Sequence, residues 1–432
     1  MERVNFTNYI EVKTKKKDVL KGIILPSSDK NILSLKLDSG YNVGLDKKNI
    51  IYIKKLKKEK QVKIEIKENI KQNNSFKTIT ILHCGGTVAS RVNYSTGAVS
   101  PSYDPQDLIR MFPELTKFAN IKSRLVSNMF SGDMRFGHYN VLAKEIQKEL
   151  NNCDGIILTH GTDTLAFTST ALAFSLENLN KPVILIGAQR SSDRPSTDAA
   201  MNLLCAINII TNSNFNEVGI CMHGESSDDF CYLLPACKTK KLHTSRRDAF
   251  KAVNTEALAK ISKEGKAEFL SNYHKKEHKD KLKLKLFNEN LKIGILKAHP
   301  NLFREEIKMF SKFNGLIIEG TGLGHLSVNK IDNITKENEF ILKEIKNLTK
   351  KIPVVMTTQC IFGRVNMNVY SYGRKLQEIG VIGNYSDILP ETAFIKLAWI
   401  LSNYKKIQIK ELFKTNLRGE LSPRTKYEEE FI

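Results

Sequence analysis

Two threonines and a run of lysines are the residues of this sequence whose types and settings suit nucleophilic chemistry. Thr87 stands in "TITILHCGGTVAS", where an apolar, β-branched run stops at two glycines that deliver the hydroxyl onto the following turn. A threonine hydroxyl is a poor nucleophile near neutrality, so a covalent role requires a base or a proton relay beside it. A second apolar run leads into "THGTDT", whose Gly-preceded loop presents the Thr162 hydroxyl and the Asp163 carboxylate side by side. Downstream, "ACKTKKLHTSRRDAF" offers lysines, and a lysine serves as a base when burial and neighbours draw its pKa toward neutrality. Threonine, lysine and aspartate would then act as nucleophile, base and orienter. Each stretch alone has an ordinary meaning: a Gly-Gly-Thr turn is usually just a turn, His-Gly-Thr-Asp-Thr caps a helix, and a lysine in a basic run is a solvated charge. Their joint occurrence after strand-like runs in one region is what raises the enzyme reading. Tyr94 follows in the polar, glycine-containing "NYSTGA", which has the composition of a mobile loop.

The elements that must position these groups change character along the chain. Residues 1–72 hold short alternating runs such as "DVLKGIILPS", "NILSLKLDSGYNVGL", "NIIYIKKL" and "VKIEI", punctuated by "SSDKN" and "DSG". This is the pattern of a small all-β, barrel-like domain, and the polar "KENIKQNNSFK" after it reads as a linker. From residue 77 the order becomes strand, loop, helix: "TITILHCGG"; "CDGIILTHGTDT" before "LAFTSTALAFSLENL"; "KPVILIGAQR" before "PSTDAAMNLLCAINIITN". Buried apolar runs alternating with helices indicate βαβ units on a parallel sheet, where working residues sit beyond the carboxyl ends of strands. Thr87, Thr162 and Asp163 all fall there. A charged stretch near 262–290 precedes a second series, "LKIGILKAHP", "FNGLIIEGTGLGHL" and "IPVVMTTQCIFGRVN". The fold class expected is α/β: a β domain over 1–72, a large α/β domain over 77–285, a smaller one over 291–405, and a C-terminal extension over 406–432.

Composition narrows the class of molecule. At 432 residues, 41% apolar and 26% charged, the chain is long enough for several cores and too poor in glycine and proline for a fibrous or disordered protein. No run approaches a membrane span, and the N-terminus lacks a signal-peptide pattern, so a cytoplasmic location is expected. Seven cysteines with no CxxC pair read as reduced thiols and argue against a cysteine metal site. The formal net charge of +21 gives a physical reason to expect a polyanionic partner, since each lysine or arginine placed on a phosphate releases counterions. A generally lysine-rich composition would give the same number.

The motifs "GGTVAS" with "NYSTGAVSP", "THGTDTLAFTSTAL" and "GAQRSSDRPSTDAAMNL" resemble those of the L-asparaginase/glutaminase family over residues 77–405. The N-terminal β segment, "HTSRRDAF", "TTQCIFGRVNMNVYSYGR" and the closing "LRGELSPR" resemble its branch of archaeal amidotransferase D subunits over nearly the whole chain. The resemblance implies a two-domain asparaginase-like fold and a glutaminase that supplies ammonia to an E-type partner subunit, which amidates glutamate mischarged on tRNA(Gln). It makes Thr87, Thr162, Asp163, Lys241 and Tyr94 the catalytic set, with Lys238 and Lys240 as alternatives if the register around Phe250 slips. Ser131 in "NMFSGDM" matches a position that holds the substrate's α-carboxylate, with Gly132 beside it as a further substrate-binding candidate. No metal or organic cofactor is expected in this chain; ATP and Mg²⁺ belong to the partner, and the assembly implied is a homodimer core within a heterotetramer. Free-standing asparaginases commonly carry an asparagine after a Gly-x-Gly turn in the second domain, where this chain has Leu323 in "EGTGLGHL", a departure that leans toward the amidotransferase. A free-standing cytoplasmic asparaginase/glutaminase and an RNA-binding scaffold with a vestigial amidase site are the competing readings.

Overall fold

The structure is a computed structural model; it describes residues 9–16, 18–25, 27, 29–37, 42–56, 73–92, 99–101, 112–192, 196–271 and 280–425. The N-terminal part is an antiparallel sheet of Tyr9–Thr14 (β1), Val19–Leu25 (β2), Ile32–Leu37 (β3), Asn42–Asp46 (β4) and Ile50–Lys55 (β5), in the order β4-β3-β2-β1-β5. Along β1 alternate side chains are buried, and Ile10, Val12, Leu33 and Leu35 form the small core. This strand was not among the runs picked out above. The expected run "VKIEI" lies outside the described residues.

The large sheet collects Thr78–Gly85 (β6), Asn120–Met129 (β9), Gly155–Thr159 (β10), Val183–Ile186 (β12), Val218–His223 (β13), Phe230–Pro235 (β14), Ala259–Ser262 (β17) and Ala267–Phe269 (β18). Short two-stranded pieces lie between them: Ser90–Val92 (β7) with Val99–Pro101 (β8), Leu176–Glu177 (β11) with Lys283–Leu284 (β19), and Thr239–Lys241 (β15) with Phe250–Ala252 (β16). The order is β18-β17-β14-β13-β12-β10-β6-β9, with β9, β6, β10, β12 and β13 mutually parallel and the β13-β14-β17-β18 pairings antiparallel. The reversal at β14 has a simple cause. Only residues 224–229 separate β13 from β14, too few for the crossover that a parallel pair needs. Of the parallel strands, β10, β12 and β13 are buried at every position, whereas β9, at the edge, is polar and only half-buried.

The second α/β part is a three-stranded parallel sheet of Ile293–Lys297 (β20), Gly315–Gly320 (β21) and Val354–Thr358 (β22). Its core does not stand apart from the first. The helix Pro390–Asn403 is apolar on most of its circumference and packs between this sheet and the helix Leu165–Ser175, where the Phe174 and Trp399 rings lie 5.1 Å apart. Each buried aliphatic side chain at such a seam contributes roughly 1.5–3 kcal/mol, so the seam holds the two sheets in fixed relation. That matters because the start of the helix Pro390–Asn403 also contacts Cys237 and Lys240, in the segment that leads to Lys241.

Candidate active site

Strand ends converge at the carboxyl edge of the parallel strands. β6 runs out through Gly85 and Gly86, at φ of +91° and +79°, a region in which a side chain is strained. A Cβ on Gly86 would lie 2.5 Å from the backbone N of Gly161, so the turn that leads into Thr87 rests on the turn that leads into Thr162. A Cβ on Gly161 would lie 2.7 Å from Ser131 Oγ, and Thr164 Oγ1 donates to the Ser131 carbonyl at 2.6 Å. Two glycines without side chains therefore let the turns bearing Thr87, Thr162 and Ser131 stack closely. Ser131 is buried on the short 3₁₀ turn Ser131–Asp133, which also carries Gly132.

Lys241 completes the cluster from the hairpin β15–β16, in which it pairs with Phe250. Its Nζ donates to Thr162 Oγ1 at 2.9 Å and to Asp163 Oδ1 at 2.7 Å. The other two lysines are committed elsewhere. Lys240 pairs with Glu391, and the buried Lys238 donates to Asp387 Oδ2 and Ser422 Oγ, both at 2.5 Å. Alternation along an extended strand sends Lys240 away from the face that carries Lys241.

Two histidines brace the turns from below. His160 is fully buried; its Nδ1–H donates to the Gly161 carbonyl at 2.8 Å and its Nε2 accepts from Thr168 Oγ1 at 2.9 Å. His83 spans from Thr159 Oγ1, 3.0 Å from Nδ1, to Ser123 Oγ, 2.8 Å from Nε2. Burial disfavours the imidazolium and draws both pKa values down to about 4. They are neutral at pH 7, joining β6, β9 and β10 beneath the site.

Sequence reasoning passed over Gln189. It sits just beyond β12, with Oε1 3.5 Å from Thr162 Oγ1 and its Nε2 buried without a partner among the described residues. Its backbone N–H is held at 3.0 Å by Asp198. The available signal was position: a polar side chain directly past the carboxyl end of an apolar strand, in "GAQR". Tyr94 lies outside the described residues. Leu323 is partly exposed on the Gly320–Gly324 turn, which offers no side-chain amide at that position. Among the described residues no grouping of His, Cys, Asp and Glu suits a metal ion, and no helix is long and apolar enough to cross a membrane.

A hydroxyl held by a lysine–aspartate pair, next to a second threonine turn on a parallel sheet with a smaller α/β partner, defines an amidohydrolase of the asparaginase type. Residues 78–275 match the family described as "Asparaginase, N-terminal", 292–413 "Glutaminase/Asparaginase C-terminal domain" and 4–56 "GatD N-terminal domain". The chain belongs to the family of glutamyl-tRNA(Gln) amidotransferase D subunits. It is 40% identical to that subunit from Pyrococcus furiosus, over 98% of this chain and 95% of the relative. It is 42% identical to the subunit from Methanococcus maripaludis strain C6, over 93% of this chain and 94% of the relative. Among solved structures, the thermostable L-asparaginase from Thermococcus kodakarensis superposes with a TM-score of 0.70 at 25% identity, over 80% of this chain and all of that one. L-asparaginase I from Vibrio cholerae gives 0.69 at 27%, over 81% of this chain and all of that one.

Proposed function

We propose that this chain is the glutaminase subunit of a tRNA-dependent amidotransferase, releasing ammonia that an E-type partner subunit uses to convert Glu-tRNA(Gln) to Gln-tRNA(Gln). The observation that carries the chemistry is the Lys241 amine, hydrogen-bonded at once to Thr162 and Asp163 on the turn against which the Thr87 turn rests. The names of the full-length relatives support the assignment to the amidotransferase.

In this reading a threonine hydroxyl, Thr87 in first place, with Thr162 as alternative or relay, attacks the side-chain carbonyl of glutamine. A new C–O bond forms and the C–N bond breaks. Lys241, oriented by Asp163, takes the hydroxyl proton and returns it to the leaving nitrogen, which departs as ammonia. Water then opens the acyl ester and releases glutamate. Backbone N–H groups of the threonine turns stabilise the oxyanion, as preorganised donors do in acyl transfer. Ser131 and Gly132 hold the substrate's α-carboxylate, and Tyr94 covers and orients the reacting hydroxyl. This half-reaction uses no metal or organic cofactor; ATP and Mg²⁺ serve the partner. The assembly proposed is a homodimer of this chain within a heterotetramer.

The test is ammonia release from glutamine by wild-type, Thr87→Ala, Thr162→Ala, Asp163→Asn and Lys241→Met proteins, with mass spectrometry of acid-quenched turnover to locate the acyl group. A loss of at least about a hundredfold in each folded variant is the expected result. Unimpaired turnover by Lys241→Met would reject the base assignment.

A further inference from the structure

The hairpin that presents Lys241 is not part of the large sheet. β15 and β16 are three residues each and, among the described residues, form a two-stranded sheet by themselves; an isolated two-stranded ribbon is marginal in water. Its position must be imposed from outside. Thr392 Oγ1 donates to the Cys237 carbonyl at 2.8 Å, and Glu391 holds Lys240, both from the start of the helix Pro390–Asn403. The most deeply buried hold is on Lys238, three residues before Lys241. Its Nζ reaches Asp387 Oδ2 and Ser422 Oγ at 2.5 Å and the Asn254 carbonyl at 3.3 Å, with lysine and aspartate side chains each only 3% exposed. Ser422 N donates in turn to Asp387 Oδ1 at 3.0 Å.

Ser422 belongs to a segment with fixings of its own. Glu420 is fully buried, 2.6 Å from the equally buried Lys396, and accepts from the backbone N–H groups of Leu417 and Arg418. Arg364 donates to the Ser422 carbonyl at 3.3 Å and to Thr425 Oγ1 at 2.8 Å. The match to the asparaginase C-terminal family ends at residue 413, so this hook lies beyond it.

We propose that Ser422, together with Asp387, is a positioning residue for Lys241: the C-terminal hook, residues 420–425, fastens the lysine-bearing strand to the second α/β part and sets the register at which the base meets Thr162. The inference rests on the reading of Lys241 as the base. Burial lowers the pKa of Lys238, while Asp387 opposes that shift, so the node is a desolvated one whose geometry tolerates little slack. A hydroxyl lost at Ser422 leaves the buried ammonium one partner short and frees the strand to shift; misplacing a base by about 1 Å costs up to about a hundredfold in rate.

The test compares full-length Ser422→Ala, Ser422→Thr and Asp387→Asn with wild type, measuring kcat and KM for glutamine across pH and amide hydrogen exchange at residues 238–242. Ser422→Ala is expected to lower kcat about tenfold with KM within about twofold, to displace the pH limb of kcat, and to speed exchange in β15. Ser422→Thr, which keeps the hydroxyl, should restore kcat to within about twofold. Should Ser422→Ala not fold, Ser422→Cys, with similar shape and a weaker hydrogen bond, takes its place. A folded Ser422→Ala with unaltered kcat, pH profile and exchange overturns the proposal, even where Lys241→Met is inactive. Normal turnover by Lys241→Met would overturn the reading beneath it instead.

Discussion

Thr162 and Lys241 lie 79 positions apart in the chain, yet Lys241 Nζ is 2.9 Å from Thr162 Oγ1. The three neighbouring lysines differ in what they touch: Lys238 meets Asp387, Lys240 meets Glu391, and Lys241 meets Thr162 and Asp163. Lys241→Met leaves Asp163 without its ion-pair partner, but that carboxylate is 56% exposed and water can solvate it, so the fold should lose no more than about 1 kcal/mol while glutamine turnover falls at least about a hundredfold. Lys238→Met instead strands the buried Asp387 carboxylate and should cost about 3–5 kcal/mol of stability. Thermal denaturation beside an ammonia assay reads both. A Lys238→Met protein with wild-type stability would contradict the burial argument.

Gly86 is the packing contact between the two threonine turns. Gly86→Ala places a methyl 2.5 Å from Gly161 N at a φ of +79°. Overpacking and the left-handed backbone together should destabilise the protein by roughly 2–4 kcal/mol. Turnover should fall more than at any glycine distant from the site, because the turns must separate. Gly322→Ala is the comparison: its φ is also positive, at +50°, but nothing lies within 4 Å of its Cβ. Equal activity losses in the two variants would remove the packing explanation.

His83 and His160 make stability pH-dependent on the acid side. Their folded pKa values, drawn down to about 4, lie below the unfolded value of 6.5, so the unfolded chain binds more protons between those limits. The contribution is complete above pH 6.5 and fades as pH falls toward 4, by about 2 kcal/mol for each histidine at pH 5. Urea denaturation at pH 7 and pH 5 measures it. His83→Gln, which cannot titrate, should show a visibly shallower dependence than wild type; identical slopes would exclude His83 as a source.

Much of this arrangement was legible in the chain because its cues are local. An apolar run ending in Gly-Gly-Thr, or in His-Gly-Thr-Asp-Thr, announces a strand end followed by a threonine-bearing turn, and Thr87 and Thr162 lie on turns of that kind. What escaped is non-local or masked by composition. "YIEVKT" sits in a lysine-rich N-terminus that hides its alternation, yet it is the strand joining β2 to β5. The reversal of β14 against β13 follows from a short loop rather than from apolar pattern. No spacing in sequence ties Lys238 to Asp387 and Ser422, 149 and 184 positions away. Gln189 lay inside a quoted motif but carries no charge or nucleophile to draw notice.

The assembly decides between a dedicated subunit and a free-standing amidase. Ammonia released here is useful only when a second site has already activated the glutamyl group on tRNA, so a site at full power in the lone chain would waste glutamine. The isolated protein should therefore be a weak glutaminase, stimulated on adding its E-type partner and Glu-tRNA(Gln). A tenfold stimulation requires only about 1.4 kcal/mol of differential binding between resting and active forms. With a net charge of +21, phosphate contacts within the complex should contribute to tRNA affinity, and affinity carried by phosphates falls steeply with salt. At subsaturating tRNA the stimulation should thus shrink between 50 and 200 mM salt by about tenfold or more, while unstimulated hydrolysis stays nearly level. Initial rates of ammonia release with glutamine and with asparagine, with and without partner and tRNA at both salt concentrations, measure this. Vigorous, salt-insensitive asparagine hydrolysis by the lone chain, indifferent to both additions, would reject the amidotransferase reading and leave a free-standing asparaginase.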